Sequence, residues 1–132
     1  MQSTVTPFLM FEGQAEEAMN FYVSVFKDAS VGRITRYGKD EGGAEGSLKQ
    51  ATFSLKGQEI MCFNSPVKHA FTFTPAISLF VTCDTETEVD ELFSKLSQGG
   101  QVMMGLDKYP FSERFAWLAD KYGVSWQLTL KS

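Results

Sequence analysis

Histidine is almost missing from this 132-residue chain: there is one, His69, and only two cysteines, Cys62 and Cys83. Zinc, nickel and non-haem iron sites usually draw on two or more imidazoles with thiolate or carboxylate partners, so these counts argue against a metal centre. The cysteines form no C-x-x-C pair and sit among apolar residues, which reads as two buried small hydrophobes in a reducing compartment rather than a disulfide. No apolar run approaches the roughly 18 residues of a membrane span, and no basic segment leads into an apolar one at the start. The expectation is a soluble cytoplasmic protein with no membrane partner. Basic clusters are also missing. Twelve Lys and Arg stand against sixteen Asp and Glu, a formal charge of −4, so the counterion release that drives nucleic-acid binding has no source. None of the 11 glycines forms a Gly-x-Gly-x-x-Gly turn after a strand, which argues against a nucleotide-type cofactor, and no cofactor is expected.

What is present is aromatic and periodic. Residues Thr4 to Phe11 form a β-prone apolar run, and Ala15, Ala18, Met19, Tyr22, Val25 and Phe26 then recur at intervals of three and four, which predicts a helix over 14–26. Strands are expected at 30–37, 50–55 and 59–63, with a glycine-rich loop at 38–47 and a tight turn at Lys56-Gly57. The second half repeats the order: a strand at 76–81, a capping box at Thr85 to Glu88 opening a helix, then strands at 101–106, 115–119 and 124–130. Gly57-Gln-Glu-Ile-Met-Cys lies on Gly123-Val-Ser-Trp-Gln-Leu, Phe53 on Trp117, and Pro7-Phe-Leu-Met-Phe on Ala76-Ile-Ser-Leu-Phe. A half-chain of about 65 residues buries too little surface to be comfortable alone. The fold expected is therefore α+β: one domain over 1–132, built of two tandem βαβββ modules at about 1–64 and 76–132, with a linker at 65–75. The helices lie outside and the mixed sheets cup a pocket.

These residues resemble the PhnB-like family of the vicinal oxygen chelate superfamily, which also holds glyoxalase I, bleomycin and fosfomycin resistance proteins and extradiol dioxygenases. The resemblance is carried by Phe8-Leu-Met-Phe-Glu-Gly-Gln-Ala-Glu-Glu-Ala, Phe21-Tyr22, Ile77-Ser-Leu-Phe-Val and Phe115-Ala-Trp-Leu-Ala-Asp-Lys-Tyr-Gly-Val-Ser-Trp-Gln-Leu. PhnB-like proteins often bear a 3-demethylubiquinone methyltransferase label, which this chain's lack of a nucleotide fingerprint does not support. Metal-dependent relatives place ligands on the first and fourth strands of each module. The positions matched here hold Pro7, Met61, Ala76 and Gln127, whose side chains supply a divalent Lewis acid with one neutral carbonyl oxygen, that of Gln127, so no metal is expected. The resemblance also implies a homodimer.

The last strand alternates. Trp126, Leu128 and Leu130 suit packing under a helix, while Ser125, Gln127 and Thr129 point the other way and should line the pocket. The same parity adds Glu59, Met61 and Phe63 from the first module and Ser78 and Phe80 from the second, with Cys62 facing the helix. Trp117 supplies further aromatic surface, and Tyr109, Phe111 and Arg114, in a loop next to the mouth of the pocket, could clamp an anionic or planar ligand or form a dimer contact. Aromatic and methionine walls with a few polar handles suit a small molecule. Two readings stay open. One is a metal-independent protein that binds a small apolar or aromatic molecule. The other is an enzyme, an isomerase or lyase using Glu59 or His69 in acid–base work, or a metal-dependent glyoxalase- or dioxygenase-like one.

Overall fold

The computed structural model describes residues 3–132, and the chain divides into two compact units that meet in sequence between Ala70 and Phe71. Each unit is one four-stranded mixed sheet with one helix, the α+β class expected.

The first unit runs β1 (Phe8–Phe11), α1 (Ala15–Val25), β2 (Ala29–Arg36), β3 (Leu48–Leu55) and β4 (Gln58–Asn64). Its sheet order is β1-β4-β3-β2, with β1 parallel to β4 and the other pairs antiparallel. The helical spacing of Ala15, Ala18, Met19, Tyr22 and Val25 puts all five on the buried stripe of α1. Ala51, Phe53 and Leu55 of β3 and Ile60 and Cys62 of β4 are buried in turn, and the Tyr22 and Phe53 rings stack 6.2 Å apart. Leu55 pairs with Gln58, so the turn is two residues long, and Lys56 and Gly57 both take positive φ (49° and 85°). That is the mirror-image hairpin turn whose twist matches the strands. Gln14 gives α1 no side-chain cap. The Oδ1 of Asn64, at the end of β4, accepts from the N–H groups of Gly13 and Ala15 instead, each at 2.9 Å.

The second unit runs β5 (Leu79–Cys83), α2 (Glu86–Leu96), β6 (Gln101–Tyr109), β7 (Ser112–Ala119) and β8 (Ser125–Leu130), with sheet order β5-β8-β7-β6. Thr85 Oγ1 accepts from Glu88 N–H at 3.1 Å and Glu88 Oε1 from Asp84 N–H at 2.8 Å, so the helix start encoded at Thr85 to Glu88 is formed. Val89, Leu92 and Leu96 bury the inner stripe of α2. Between β7 and β8 the Asp120 carboxylate, 3% exposed, organises the turn. Its Oδ1 accepts from Tyr122 N–H (2.9 Å) and Val124 N–H (3.1 Å), and its Oδ2 from the Trp126 indole N–H (2.8 Å).

The structure corrects three expectations. The fifth strand starts at Leu79 and ends at Cys83 rather than spanning 76–81, and Ala76 lies in a turn before it. The segment expected to be a loop around Tyr109 to Arg114 is a hairpin whose tip is Pro110-Phe111, since Tyr109 pairs with Ser112. The repeat itself is kept in a different phase. Met61 pairs with Phe8 as Gln127 pairs with Phe80, so Phe8, not Phe11, is the counterpart of Phe80. Likewise Phe53 pairs with Ile60 as Leu118 pairs with Trp126, so Leu118, not Trp117, matches Phe53. Both expected matches were displaced by an odd number of residues, and an odd slip exchanges the two faces of a strand. The burials agree: Phe11 is 4% exposed and Phe80 60%.

Candidate functional site

The face of the second sheet turned away from α2 is built from rows of paired residues. One row reads Phe80, Gln127, Trp117 and Met104 across β5, β8, β7 and β6. The next reads Thr82, Thr129, Phe115 and Asp107. Above the first row, Ser78 Oγ and Ser125 Oγ lie 2.7 Å apart. The Trp117 indole N–H donates to Ser125 Oγ at 2.9 Å, and Gln127 Nε2 donates to Ser78 Oγ at 3.2 Å. Ser112 Oγ and Thr129 Oγ1 are 2.7 Å apart. Six residues expected to line a binding surface (Ser78, Phe80, Trp117, Ser125, Gln127 and Thr129) thus share one face of one sheet, and four of them form a single hydrogen-bonded group. Ser125 is buried, Trp117 and Gln127 are half-buried, and Phe80 is exposed beside them.

Tyr109 and Phe111, expected at the mouth, close the β6–β7 hairpin with Phe115. The Tyr109 and Phe111 rings stack at 5.7 Å, and both meet the buried Phe115 ring edge-on, at 5.7 and 4.9 Å. The Tyr109 hydroxyl donates to the Gly105 carbonyl at 2.7 Å. Phe115 and Met104 were not among the expected residues. Once Trp117 is placed opposite Gln127, two-residue alternation puts Phe115 on the same face, so the signal lay in the pairing of β7 with β8. Arg114 is a correction. Alternation turns it to the helix side, where its Nε reaches Asp90 Oδ1 at 2.5 Å and Glu86 Oε1 at 3.8 Å, both on α2. It is no clamp on this face.

The remaining expected residues belong to the first unit. Met61 pairs with Phe8 and with Thr52, and the Phe63 ring lies 4.8 Å from that of Phe8, so Met61 and Phe63 share the face of the first sheet turned away from α1. Glu59 is exposed near the β3–β4 turn, opposite Ser54, without the burial that the acid–base expectation required. His69 follows β4: its Nε2 lies 3.0 Å from Ser65 Oγ and its backbone N–H donates to Glu12 Oε2 at 3.2 Å. Cys62 is fully buried on the helix side, and burial pushes its thiol up to about 12, which keeps it protonated and unreactive. Both cysteines are free thiols.

Of the four positions matched to metal ligands in relatives, Met61 and Gln127 are true counterparts by strand register. Pro7 and Ala76 are not, because Pro7 immediately precedes Phe8 whereas Ala76 lies four residues before Phe80. The counterpart of Pro7 is Leu79, which brings no ligand atom either. Among the described residues no three His, Cys, Asp or Glu side chains are grouped so as to hold a metal ion.

The family model described as 3-demethylubiquinone-9 3-methyltransferase matches residues 3–129. The chain is similar to a PhnB protein from Bacillus cereus carrying that same description, with 58% identity and a TM-score of 0.94, covering 98% of this chain and 100% of that one. A protein from Pseudomonas aeruginosa is similar at 20% identity with a TM-score of 0.86, covering 98% of each chain. The genomically encoded fosfomycin resistance protein FosX from Listeria monocytogenes is similar at 12% identity with a TM-score of 0.72, covering 100% of this chain and 95% of that one. At these two identities the likeness is one of fold. An uncharacterized protein from Mycobacterium tuberculosis is 27% identical over 135 residues, covering 97% of this chain and 74% of that protein.

Proposed function

The chain belongs to the PhnB-like family described as 3-demethylubiquinone-9 3-methyltransferase, within the vicinal oxygen chelate superfamily, and from that premise we propose that it binds a small apolar or aromatic molecule without a metal. The observation that carries the reading is the face of the second sheet, where Phe80 and Trp117 flank Gln127 beside a group of hydrogen-bonded hydroxyls. Small-molecule sites are lined by aromatic and apolar side chains with a few placed polar groups, and this face supplies both kinds. Methyl transfer finds no support in the residues: α1 and α2 open after Glu12-Gly13-Gln14 and Asp84-Thr85, neither of which is a glycine-rich cradle. The acid–base alternative is less favoured because Glu59 is exposed and His69, paired with Ser65, is not part of the sheet face that carries the reading.

The test is a thermal-shift screen of small aromatic and apolar molecules, repeated on Gln127→Ala. A ligand of the wild-type chain should lose most of its stabilising effect in the variant. Unchanged binding would place the site elsewhere, and stoichiometric zinc, nickel, iron or manganese in the purified protein would remove the metal-independent reading.

We also propose a homodimer acting in the cytoplasm. Supporting it are the edge strand β2, which leaves Val31 and Ile34 each 38% exposed, and two buried cysteines that are free thiols. Sedimentation showing a monomer at micromolar concentration would overturn the dimer. Among the described residues no helix is long and apolar enough to cross a membrane.

A further inference from the structure

With the Gln127 amide nitrogen against Ser78, the hydroxyls beside Phe80 can donate in only one satisfactory order. An indole N–H donates and never accepts, so the bond between Trp117 and Ser125 runs towards the serine. The bond from Gln127 Nε2 likewise ends on Ser78 Oγ. Only the hydrogen between the two serines is left to assign. If Ser78 donated to Ser125, the Ser125 hydroxyl would accept twice and its own hydrogen, on a side chain 2% exposed, would have no acceptor. A buried hydroxyl hydrogen without an acceptor is penalised by its lost hydration. If Ser125 donates to Ser78, every buried hydrogen is used. Ser78 then accepts from both Ser125 and Gln127, so its own hydrogen is directed away from the group. Ser78 is half-buried, at the margin of the face and two residues before the exposed Phe80 ring.

We propose that Ser78 is the specificity-determining donor of this face, and that the molecule bound there carries a carbonyl oxygen next to an apolar ring or chain that lies on Phe80. This rests on the binding reading above and names its ligand class. A relay that starts at a donor-only group and ends in an outward O–H selects an acceptor. A ligand offering only donors could not engage the Ser78 hydroxyl without reversing the relay and leaving Ser125 unsatisfied. The acceptor is neutral rather than anionic. The two rows of the face hold Asp107 but no basic residue, Arg114 is turned to α2, and the chain carries a net charge of −4. A carboxylate would find no counter-charge there.

The probes are acetophenone, which has a ring and one acceptor oxygen, and ethylbenzene, which matches its shape and lacks the oxygen. Each is titrated into the uniformly nitrogen-15-labelled full chain, and binding is read from the Trp117 indole and the Phe80 and Gln127 amide signals. Ser78→Ala should weaken acetophenone about threefold to tenfold, the worth of one net hydrogen bond, and leave ethylbenzene unchanged. Ser78→Thr, which keeps the hydroxyl, should retain the acetophenone affinity, and its spectrum also shows that the fold tolerates change at this position. The proposal is overturned if Ser78→Ala weakens both probes alike or neither, and in that case the binding reading survives. If neither probe moves those signals in the wild-type chain, the binding reading itself fails and the donor assignment goes with it.

Discussion

Replacing Asp120 by Asn should destabilise the second unit far more than an isosteric change at a turn normally does, and most of that loss should depend on Trp126. The carboxylate is buried and accepts from the Tyr122 and Val124 backbone amides on Oδ1 and from the indole on Oδ2. An amide can reproduce one side only. If its oxygen serves Tyr122 and Val124, its NH2 faces the indole N–H. If it turns over, the NH2 faces both backbone donors. A hydrogen bond to a charged group contributes about 1.5–3 kcal/mol, and a buried donor left facing a donor adds its desolvation penalty, so a loss of about 3 kcal/mol is expected. With a urea slope of about 2 kcal/mol per molar, the midpoint should fall by about 1.5 M at unchanged slope. Trp126→Phe removes the indole N–H and leaves a partial cavity, for a loss of about 2–3 kcal/mol. In the Trp126→Phe background, however, Asp120→Asn should be worth only about 1 kcal/mol, because the NH2 no longer meets a donor. The double-mutant cycle, followed by far-ultraviolet circular dichroism since tryptophan is itself altered, should therefore show a coupling of about 2 kcal/mol. A coupling below about 0.5 kcal/mol would refute the reasoning and reduce Asp120 to a turn residue of ordinary weight.

Three further outcomes follow from charge and burial. The Cys62 thiol, raised by burial to about 12, should resist dithionitrobenzoate at pH 8 in the native chain and react once urea unfolds it; fast labelling without denaturant would contradict the structure. Because the native state keeps that proton while the unfolded state loses it, stability should fall as pH rises from about 9 towards 12, and Cys62→Ala should lack this component. Arg36 forms a two-point hydrogen bond to Glu16, at 2.8 and 2.9 Å, which holds the Glu16 carboxyl below its ordinary range. Its contribution is present above the unfolded value of about 4.5 and is lost as pH falls through the lowered native value. The urea-midpoint difference between wild type and Glu16→Gln, small because both side chains are over 40% exposed, should shrink between pH 6 and pH 3, and a difference that grows would exclude the pair as its cause.

The two helices, the Lys56-Gly57 turn and the polar side of β8 are all legible in the residues, because each is encoded within a few positions. Helical spacing, a capping box, a two-residue turn and the alternation Ser125, Gln127, Thr129 all belong to this kind. The phase of β1 against β5 is not. Phe8-Leu-Met-Phe has no polar residue and Ile77-Ser-Leu-Phe only one, too little alternation to set the phase of one strand against the other, and pairing with β4 and β8 decides it. Arg114 was misplaced for a related reason. Its face depends on β7 starting at Ser112, and that follows from the Pro110-Phe111 turn held by three aromatic rings. Asn64 gives no local sign that it serves α1, since its partners lie 49 and 51 residues earlier.

That last separation bears on the order of assembly. The first turn of α2 is satisfied by Thr85 and Glu88, its own neighbours, so it can form as soon as the helix does. The first turn of α1 waits for a strand end about fifty residues away. Closing such a loop takes roughly 2 kcal/mol more chain entropy than closing one of four residues, since the penalty grows with the logarithm of loop length. Two halves with one topology are thereby given different histories. The carboxy-terminal half is favoured to begin from its helix and the amino-terminal half from its sheet, and the amides of Gly13 and Ala15 should gain protection from solvent exchange only when β4 is in place.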